Sequence, residues 1–222
     1  MEQVHHDQNL KITEIYKSVQ GESSFAGLPC TFIRLTGCPL RCRWCDTAYG
    51  FEGGSDWTIG DVLGQAKRLG VPLVELTGGE PLAQKPAADL VKALHELGYK
   101  VLIETSGSES IVSVVDYAHI IMDIKCPGSR MEAKNRYENL NYLKKTDEIK
   151  FVVADKEDFH WAVAKISEFN LAERFQCLIS PAFGLVKPSD LVEWMMAEPS
   201  LGNVRLNLQI HKFIWSPRAK GV

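Results

Sequence analysis

Eight short runs of apolar and β-branched residues recur along this chain, and stretches with helical spacing separate several of them. The runs are 11–16, 31–35, 73–76, 100–103, 120–124, 148–153, 177–179 and 204–208, with helical spacing over 59–69, 87–97, 158–169 and 189–196. Thr58 stands where it can cap the first helix, with Asp61 in its opening turn, and Gly98 closes the second. Pro188 and Ser189 punctuate the last. Strands alternating with helices predict right-handed βαβ units and a parallel sheet. A complete eight-fold barrel typically takes ~250 residues, and this chain has 222. The expected fold is therefore α/β, a partial or irregular (β/α) barrel forming a single domain over 1–222. No repeat, low-complexity tract or linker interrupts it. The charged stretch 126–141 is expected to be a surface loop or a frayed helix.

Composition removes several functional classes. Apolar residues make up 45% and charged residues 24%, which excludes a disordered or fibrous chain. Lys and Arg number 25 against 28 Asp and Glu, a net charge of −3, so the basic footprint of a duplex nucleic-acid binder is missing. No apolar run approaches the ~20 residues that span a bilayer. The opening residues lack the basic start and apolar stretch of a signal peptide. A cytoplasmic protein without nucleic-acid or membrane partners is expected.

Of six cysteines, Cys30, Cys38, Cys42 and Cys45 fall within 16 residues. In a reducing compartment such a group points to metal binding or catalysis rather than to disulfides. Cys38-Pro-Leu-Arg-Cys42-Arg-Trp-Cys45 has C-x3-C-x2-C spacing and follows a strand, in a loop with Gly37 and Pro39. Thiolates select zinc, copper(I) or iron–sulfur clusters. A structural zinc site wants four ligands in paired knuckles, and no CxxC or HxxxH partner adjoins the triplet. Three cysteines on a four-iron cluster leave one iron open for a substrate or cofactor. Cys30 could complete a four-cysteine zinc site, but it lies on a strand, where Cys is a small core residue. Cys126 and Cys177 are expected in the core as well.

Parallel α/β folds gather their chemistry at the C-terminal ends of strands. That rule selects 37–47, 77–80, 104–107, 125–126 and 180–181. In Thr77-Gly-Gly79-Glu80-Pro81 two glycines let the backbone approach a ligand, although alone they mark only a turn. Glu104-Thr-Ser106-Gly107 offers a carboxylate to a cation or to ribose hydroxyls, with a helix cap as the plain alternative. Ser18-Val19-Gln20-Gly21-Glu22 is either a surface turn or an amide and a carboxylate able to read the edge of a pterin or purine. Arg34 on an apolar strand is expensive to bury unpaired and suits a carboxylate. Asp46 and Thr47 are hard oxygen ligands that fit Mg²⁺.

The Cys38–Cys45 triplet resembles the signature of the radical S-adenosylmethionine superfamily. The resemblance implies a barrel of the radical SAM type and a [4Fe–4S] cluster on Cys38, Cys42 and Cys45. It also implies S-adenosyl-L-methionine on the open iron, cleaved by an electron to a 5′-deoxyadenosyl radical within an enclosed site. Trp44 resembles the aromatic residue that packs near the adenine. Thr77-Gly-Gly-Glu80 resembles the motif whose backbone meets the methionine amino group.

Gln20-Gly-Glu22, Arg34, the triplet with Asp46-Thr47, Thr77-Gly-Gly-Glu80 and Gln209-Ile-His211-Lys are together similar to the 7-carboxy-7-deazaguanine synthase family, from about residue 10 to the C-terminus. That likeness implies a lyase converting 6-carboxy-5,6,7,8-tetrahydropterin to 7-carboxy-7-deazaguanine with loss of ammonia, in queuosine and related 7-deazapurine biosynthesis. Carried over by position, it implies substrate binding by Val19, Gln20, Gly21, Glu22, Arg34, Thr77 and His211, and Mg²⁺ at Thr47. The implied S-adenosylmethionine contacts are Trp44, Cys45, Asp46, Gly79, Glu104, Ser106, Asp123, Ile124, Lys125, Ser180, Pro181, Ala182 and Phe183. A homodimer and an electron donor such as flavodoxin or ferredoxin are implied too. No catalytic side chain is singled out. The chain departs from the family at Asp123-Ile-Lys125, where Ser-Pro-Lys is expected, and at Ser23, where many members carry Gly. Eleven residues follow His211, which leaves open whether Pro217 or Val222 approaches the substrate. Alternative readings are an activase that installs a glycyl radical on a partner enzyme, and a non-enzymatic iron–sulfur or zinc module.

Overall fold

The structure, a computed structural model, describes residues 7–217 and 219–222. The chain forms β1 (Asn9–Val19), β2 (Pro29–Leu35), β3 (Ser55–Thr58), α1 (Ile59–Leu69), β4 (Leu73–Gly78), α2 (Ala87–Glu96), β5 (Lys100–Thr105) and β6 (His119–Asp123). It continues through β7 (Glu148–Val153), α3 (Lys156–Glu168), α4 (Leu171–Arg174), β8 (Gln176–Pro181), α5 (Pro188–Met196), β9 (Arg205–Leu206) and α6 (His211–Ile214). The nine strands make one open sheet in the order β3-β1-β2-β4-β5-β6-β7-β8-β9. From β2 to β9 every neighbouring pair is parallel. The α/β partial barrel expected from the strand and helix spacing is what the chain builds.

One edge departs from that expectation. β1 runs antiparallel to both β2 and β3. A parallel crossover needs a dozen or more residues, and the link 20–28 is shorter, so the chain turns back as a hairpin. β3 was not foreseen, because Ser-Asp-Trp-Thr is short and mostly polar. The connections β5–β6 and β6–β7 carry turns and 3₁₀ segments in place of α-helices.

Alternation along the strands sorts residues between two faces. Ile33, Leu35, Val74, Leu76, Val101, Ile103, Ile120 and Met122 pack on the outer face with Ile59, Val62 and Ala66 of α1 and Leu90, Val91 and Leu94 of α2. Thr58 and Asp61 form a capping box that starts α1: Thr58 Oγ1 accepts from Asp61 N at 3.1 Å, and Asp61 Oδ2 accepts from Thr58 N at 3.3 Å. On the inner face a smaller cluster of Cys30, Phe32, Leu73, Leu102 and Ile121 fills one end. Burying each such side chain contributes ~1.5–3 kcal/mol. Cys30, Cys126 and Cys177 are buried free thiols, as expected.

The segment 126–141 is a correction to the expected surface loop or frayed helix. It forms 3₁₀ turns at Pro127–Ser129, Glu132–Lys134 and Tyr137–Asn141, and buries Ser129, Asn139 and Leu140. Its asparagines replace missing backbone partners. Asn135 bonds both the N and the O of Lys125 at 2.9 Å, and Asn139 Nδ2 donates to the carbonyls of Gly107 and Glu109. Among the described residues no helix is long and apolar enough to cross a membrane.

Candidate active site

A cavity of about 370 Å³ opens over the inner face of the sheet. The residues that alternate with the apolar cluster supply its wall: Arg34 from β2, Glu75 and Thr77 from β4, Glu104 from β5, Asp123 from β6, and Lys150 and Val152 from β7. Ala182 and Phe183 follow β8 onto the same wall.

Cys38, Cys42 and Cys45 line this cavity as half-buried free thiols. Buried Leu40 anchors their loop. Arg43 N donates to Ser129 O at 3.1 Å and Arg41 N to Met131 Sδ at 3.2 Å, so the 126–141 segment braces it. A Cβ at Gly79 would stand 2.0 Å from Gly37 O and 2.8 Å from Cys38 Cβ. Only glycine lets the end of β4 lie this close to the cysteine loop. Burial pushes all three thiols up, and the Lys125 cation pulls them the other way.

The arrangement fits a cluster held at three corners. Cys30 is fully buried in the apolar cluster of the inner face and does not line the cavity with the triplet. Among the described residues no three His, Cys, Asp or Glu side chains converge closely enough to hold a single metal ion. Asp123 Oδ1, on the wall beside the cysteines, is buried without a hydrogen-bond partner. It is an acceptor placed for a ligand's hydroxyl or amine. Thiolates, open glycine backbone and an orphaned carboxylate oxygen suit an iron–sulfur cluster with S-adenosylmethionine.

Lysines organise the acids of the wall. Lys150 is 3% exposed; its Nζ meets Glu22 Oε2 at 2.8 Å, Glu104 Oε1, and Asp123 Oδ2 at 4.0 Å. Lys125 Nζ takes Asp123 Oδ2 at 2.8 Å. Burial alone would raise Glu22, but Lys150 and Gln209 hold it below its usual value. Burial would likewise depress Lys150, yet Glu104 and Glu22 keep it well above an ordinary lysine. Glu80 faces away from this network. Its carboxylate accepts from Thr105 Oγ1, Leu82 N, Ser106 N and Ser106 Oγ, tying the ends of β4 and β5 together.

Arg34 is paired within the protein. Its Nε donates to Glu14 Oε1 at 2.7 Å and its Nη2 to the Tyr16 hydroxyl at 3.0 Å, while Tyr49 OH donates to the same Glu14 oxygen. The Tyr16 ring stacks on Phe32 at 5.1 Å, giving the cavity a flat aromatic wall.

The C-terminal segment covers the remaining side. Ile210 N donates to Gly21 O at 2.9 Å, and a Cβ at Gly21 would lie 2.1 Å from His211 Nδ1. Glycine there is what admits the imidazole. Gln209 Nε2 donates to Glu22 Oε1 at 2.9 Å. Lys212 bridges Gln209 Oε1 and Asp46, and Thr47 Oγ1 donates to Asp46 Oδ1 at 3.0 Å. Burial would raise the Asp46 carboxyl, but Lys212 holds it down to about 2. Pro217 and Val222 both line the cavity.

Of the residues expected at the site, Val19, Gln20, Gly21, Glu22, Arg34, Thr77 and His211 share the cavity with Trp44, Asp46, Thr47, Gly79, Glu104, Ser106, Asp123, Lys125, Ala182 and Phe183. Ile124, Ser180 and Pro181 do not line it. Ile124 packs in the outer core, Ser180 Oγ accepts from Asn207 Nδ2, and Pro181 is the buried end of β8. Lys150, Glu75, Tyr16, Tyr49 and Lys212 line the cavity without having been foreseen. Glu75 carried a usable signal, as a lone charge in an apolar strand, the argument that singled out Arg34, whereas Lys150 shares β7 with Glu148.

An open, mostly parallel sheet with a three-cysteine loop at the strand ends and a charged inner wall defines a radical SAM enzyme. A family model described as "Radical SAM superfamily" matches residues 32–123. The chain is 44% identical to the 7-carboxy-7-deazaguanine synthase of Koribacter versatilis, over 96% of this chain and 100% of that one. It is 40% identical to the synthase of Chlorobaculum tepidum, over 96% and 97%. The crystal structure of QueE from Escherichia coli matches with a TM-score of 0.74 at 25% identity, covering 90% of this chain and 93% of that one. Streptococcus suis SuiB, bound to its precursor peptide SuiA, shares the fold with a TM-score of 0.56 at 20% identity, covering 78% of this chain and 46% of SuiB. This chain belongs to the 7-carboxy-7-deazaguanine synthase family of the radical SAM superfamily, whose chemistry uses a [4Fe–4S] cluster and S-adenosylmethionine.

Proposed function

We propose that this chain converts 6-carboxy-5,6,7,8-tetrahydropterin to 7-carboxy-7-deazaguanine with release of ammonia, a step of queuosine and related 7-deazapurine biosynthesis. The supporting observation is that the three thiols and the Gln20–Glu22–His211 wall border one and the same cavity. Cys38, Cys42 and Cys45 would hold the cluster. Trp44, Asp46, Gly79, Glu104, Ser106, Asp123 and Lys125 would border the cofactor. When bound, cluster and cofactor supply a 5′-deoxyadenosyl radical that abstracts hydrogen from the substrate.

The chain's own residues bind and orient. Arg34, fixed by Glu14 and Tyr16, turns a preset guanidinium toward the substrate carboxylate. The Tyr16–Phe32 pair offers a flat apolar surface to the pterin ring. Lys150 pairs with both Glu22 and Glu104 at the site and holds their carboxylates in place. Residues 209–217 and 219–222 cover the cavity and exclude water. Thr47 Oγ1, beside Asp46, would ligate Mg²⁺. The same reading carries a cytoplasmic homodimer reduced by a flavodoxin or ferredoxin.

The test is an anaerobic incubation of the cluster-loaded, reduced protein with S-adenosylmethionine, Mg²⁺ and the tetrahydropterin, followed by mass spectrometry. We expect 7-carboxy-7-deazaguanine and ammonia in equal amounts. An intact cluster that cleaves S-adenosylmethionine but forms no deazapurine overturns the reading.

A further inference from the structure

One acid on the inner wall has no cation of its own. Glu75 sits in the middle of β4, opposite Phe32 of β2 and Leu102 of β5. It is 1% exposed and borders the cavity. Glu22 and Glu104 share Lys150, whereas the Glu75 carboxyl takes a hydrogen bond from Gln20 Nε2 at 2.9 Å on Oε2 and forms no ion pair among the described residues. Leu73 before it on this face of β4, and Phe32 and Leu102 across from it, are apolar, while Thr77 follows it toward the cavity. An apolar residue would continue that layer without desolvating a carboxyl.

Burial and the nearby Glu104 charge push Glu75 up to about 8. In its neutral form a carboxylic acid offers one donor and one acceptor side by side. Gln20 is already engaged on both ends: Nε2 donates to Glu75, and Oε1 accepts from Glu22 N at 2.7 Å. Gln20 therefore keeps one N–H and one lone pair on Oε1 for a ligand, and the neutral Glu75 acid adds a further donor and acceptor beside them.

We infer that Glu75 is a specificity-determining residue, whose carboxyl, with the Gln20 amide, reads the 2-amino group and adjoining ring nitrogen of the pterin. The inference rests on the pterin reading given above. An amine beside a ring nitrogen presents a donor next to an acceptor, the complement of the acid. A site built around that pair rejects a ring lacking the amine, because its own buried groups are then left unpaired.

The test is equilibrium binding to the unreduced, cluster-loaded protein, using 6-carboxypterin and its 2-desamino analogue as probes, with S-adenosylmethionine affinity measured alongside. Glu75→Met fills the same volume in the apolar layer but forms no hydrogen bond. It weakens 6-carboxypterin binding by about tenfold or more while barely changing the desamino analogue or S-adenosylmethionine. Glu75→Gln keeps a donor and an acceptor and stays within about threefold of wild type for both probes. Should Glu75→Met lose S-adenosylmethionine as well, Glu75→Gln decides: it must keep the preference for the amino ring. Wild-type affinity in Glu75→Met, equal loss of both probes, or a lost preference in Glu75→Gln overturns the inference. A wild-type protein that binds neither probe overturns the pterin reading itself.

Discussion

Along the inner face of the sheet, Cys30, Phe32, Leu73, Leu102 and Ile121 form an apolar layer. Two residues further along the same strands, Arg34, Glu104 and Asp123 form a charged one, with Glu75, level with Phe32 and Leu102, at the border between them. Two residues of strand span only ~6.6 Å, so the chain passes from oil-like packing to ion pairs within one side-chain length. The lower layer keeps water from beneath the upper one, which strengthens every charge interaction above it. The upper layer in turn compensates most of its buried charge internally, with Lys150 and Lys125 set among the acids. Packing holds one layer, and charge pairing the other.

Substitutions can break that division. Lys150→Met should have the largest effect, because it strips the cation from both Glu22 and Glu104. Removing one partner of a buried pair costs about 3–5 kcal/mol, and we expect that loss in urea unfolding together with at least ~100-fold lower kcat/KM. A stable, active Lys150→Met would show that the acids do not depend on it. Leu102→Ala, in the apolar layer, should destabilise by about 2–5 kcal/mol. Corrected for folded fraction, its kcat/KM should remain near wild type. A comparable fall in turnover per folded molecule would mean that the layers are not separate.

Smallest at each measured step is a pH slope. The Glu75 carboxyl, raised from 4.5 to about 8, stays protonated in the folded chain where the unfolded chain has released its proton. Its contribution is therefore present in full below about 4.5 and lost as pH rises through 8. Against Glu75→Gln, wild-type stability should fall over that interval by up to ~1.4 kcal/mol per pH unit. Parallel stability curves for the two proteins would refute it. Glu22, held low, acts in the opposite sense, and its contribution fades as pH drops below the ordinary carboxyl range.

The two layers also differ in how legible they were in the sequence. Strand positions came from apolar runs, so 31–35, 73–76 and 100–103 were found within a few residues of their observed ends. The cysteine loop and Thr77-Gly-Gly-Glu80 announced themselves by spacing. Glu75 and Lys150 are harder to read, because one or two charges barely alter an apolar run, although a charge on a buried strand must be paired or neutralised. The hairpin of β1 and β2 could have been read from its short link. The packing of His211 on Gly21 could not, because no local pattern announces a contact between segments 190 residues apart.

An unclosed sheet leaves a row of free amides and carbonyls at each margin, an invitation to pair with other molecules. Here both margins are blunted. β3 is four residues of Ser-Asp-Trp-Thr, with Asp56 facing Lys11, and β9 is only Arg205–Leu206. Short, polar or charged borders offer little template for cross-β growth. The opening that makes room for a ligand therefore adds little tendency to clump.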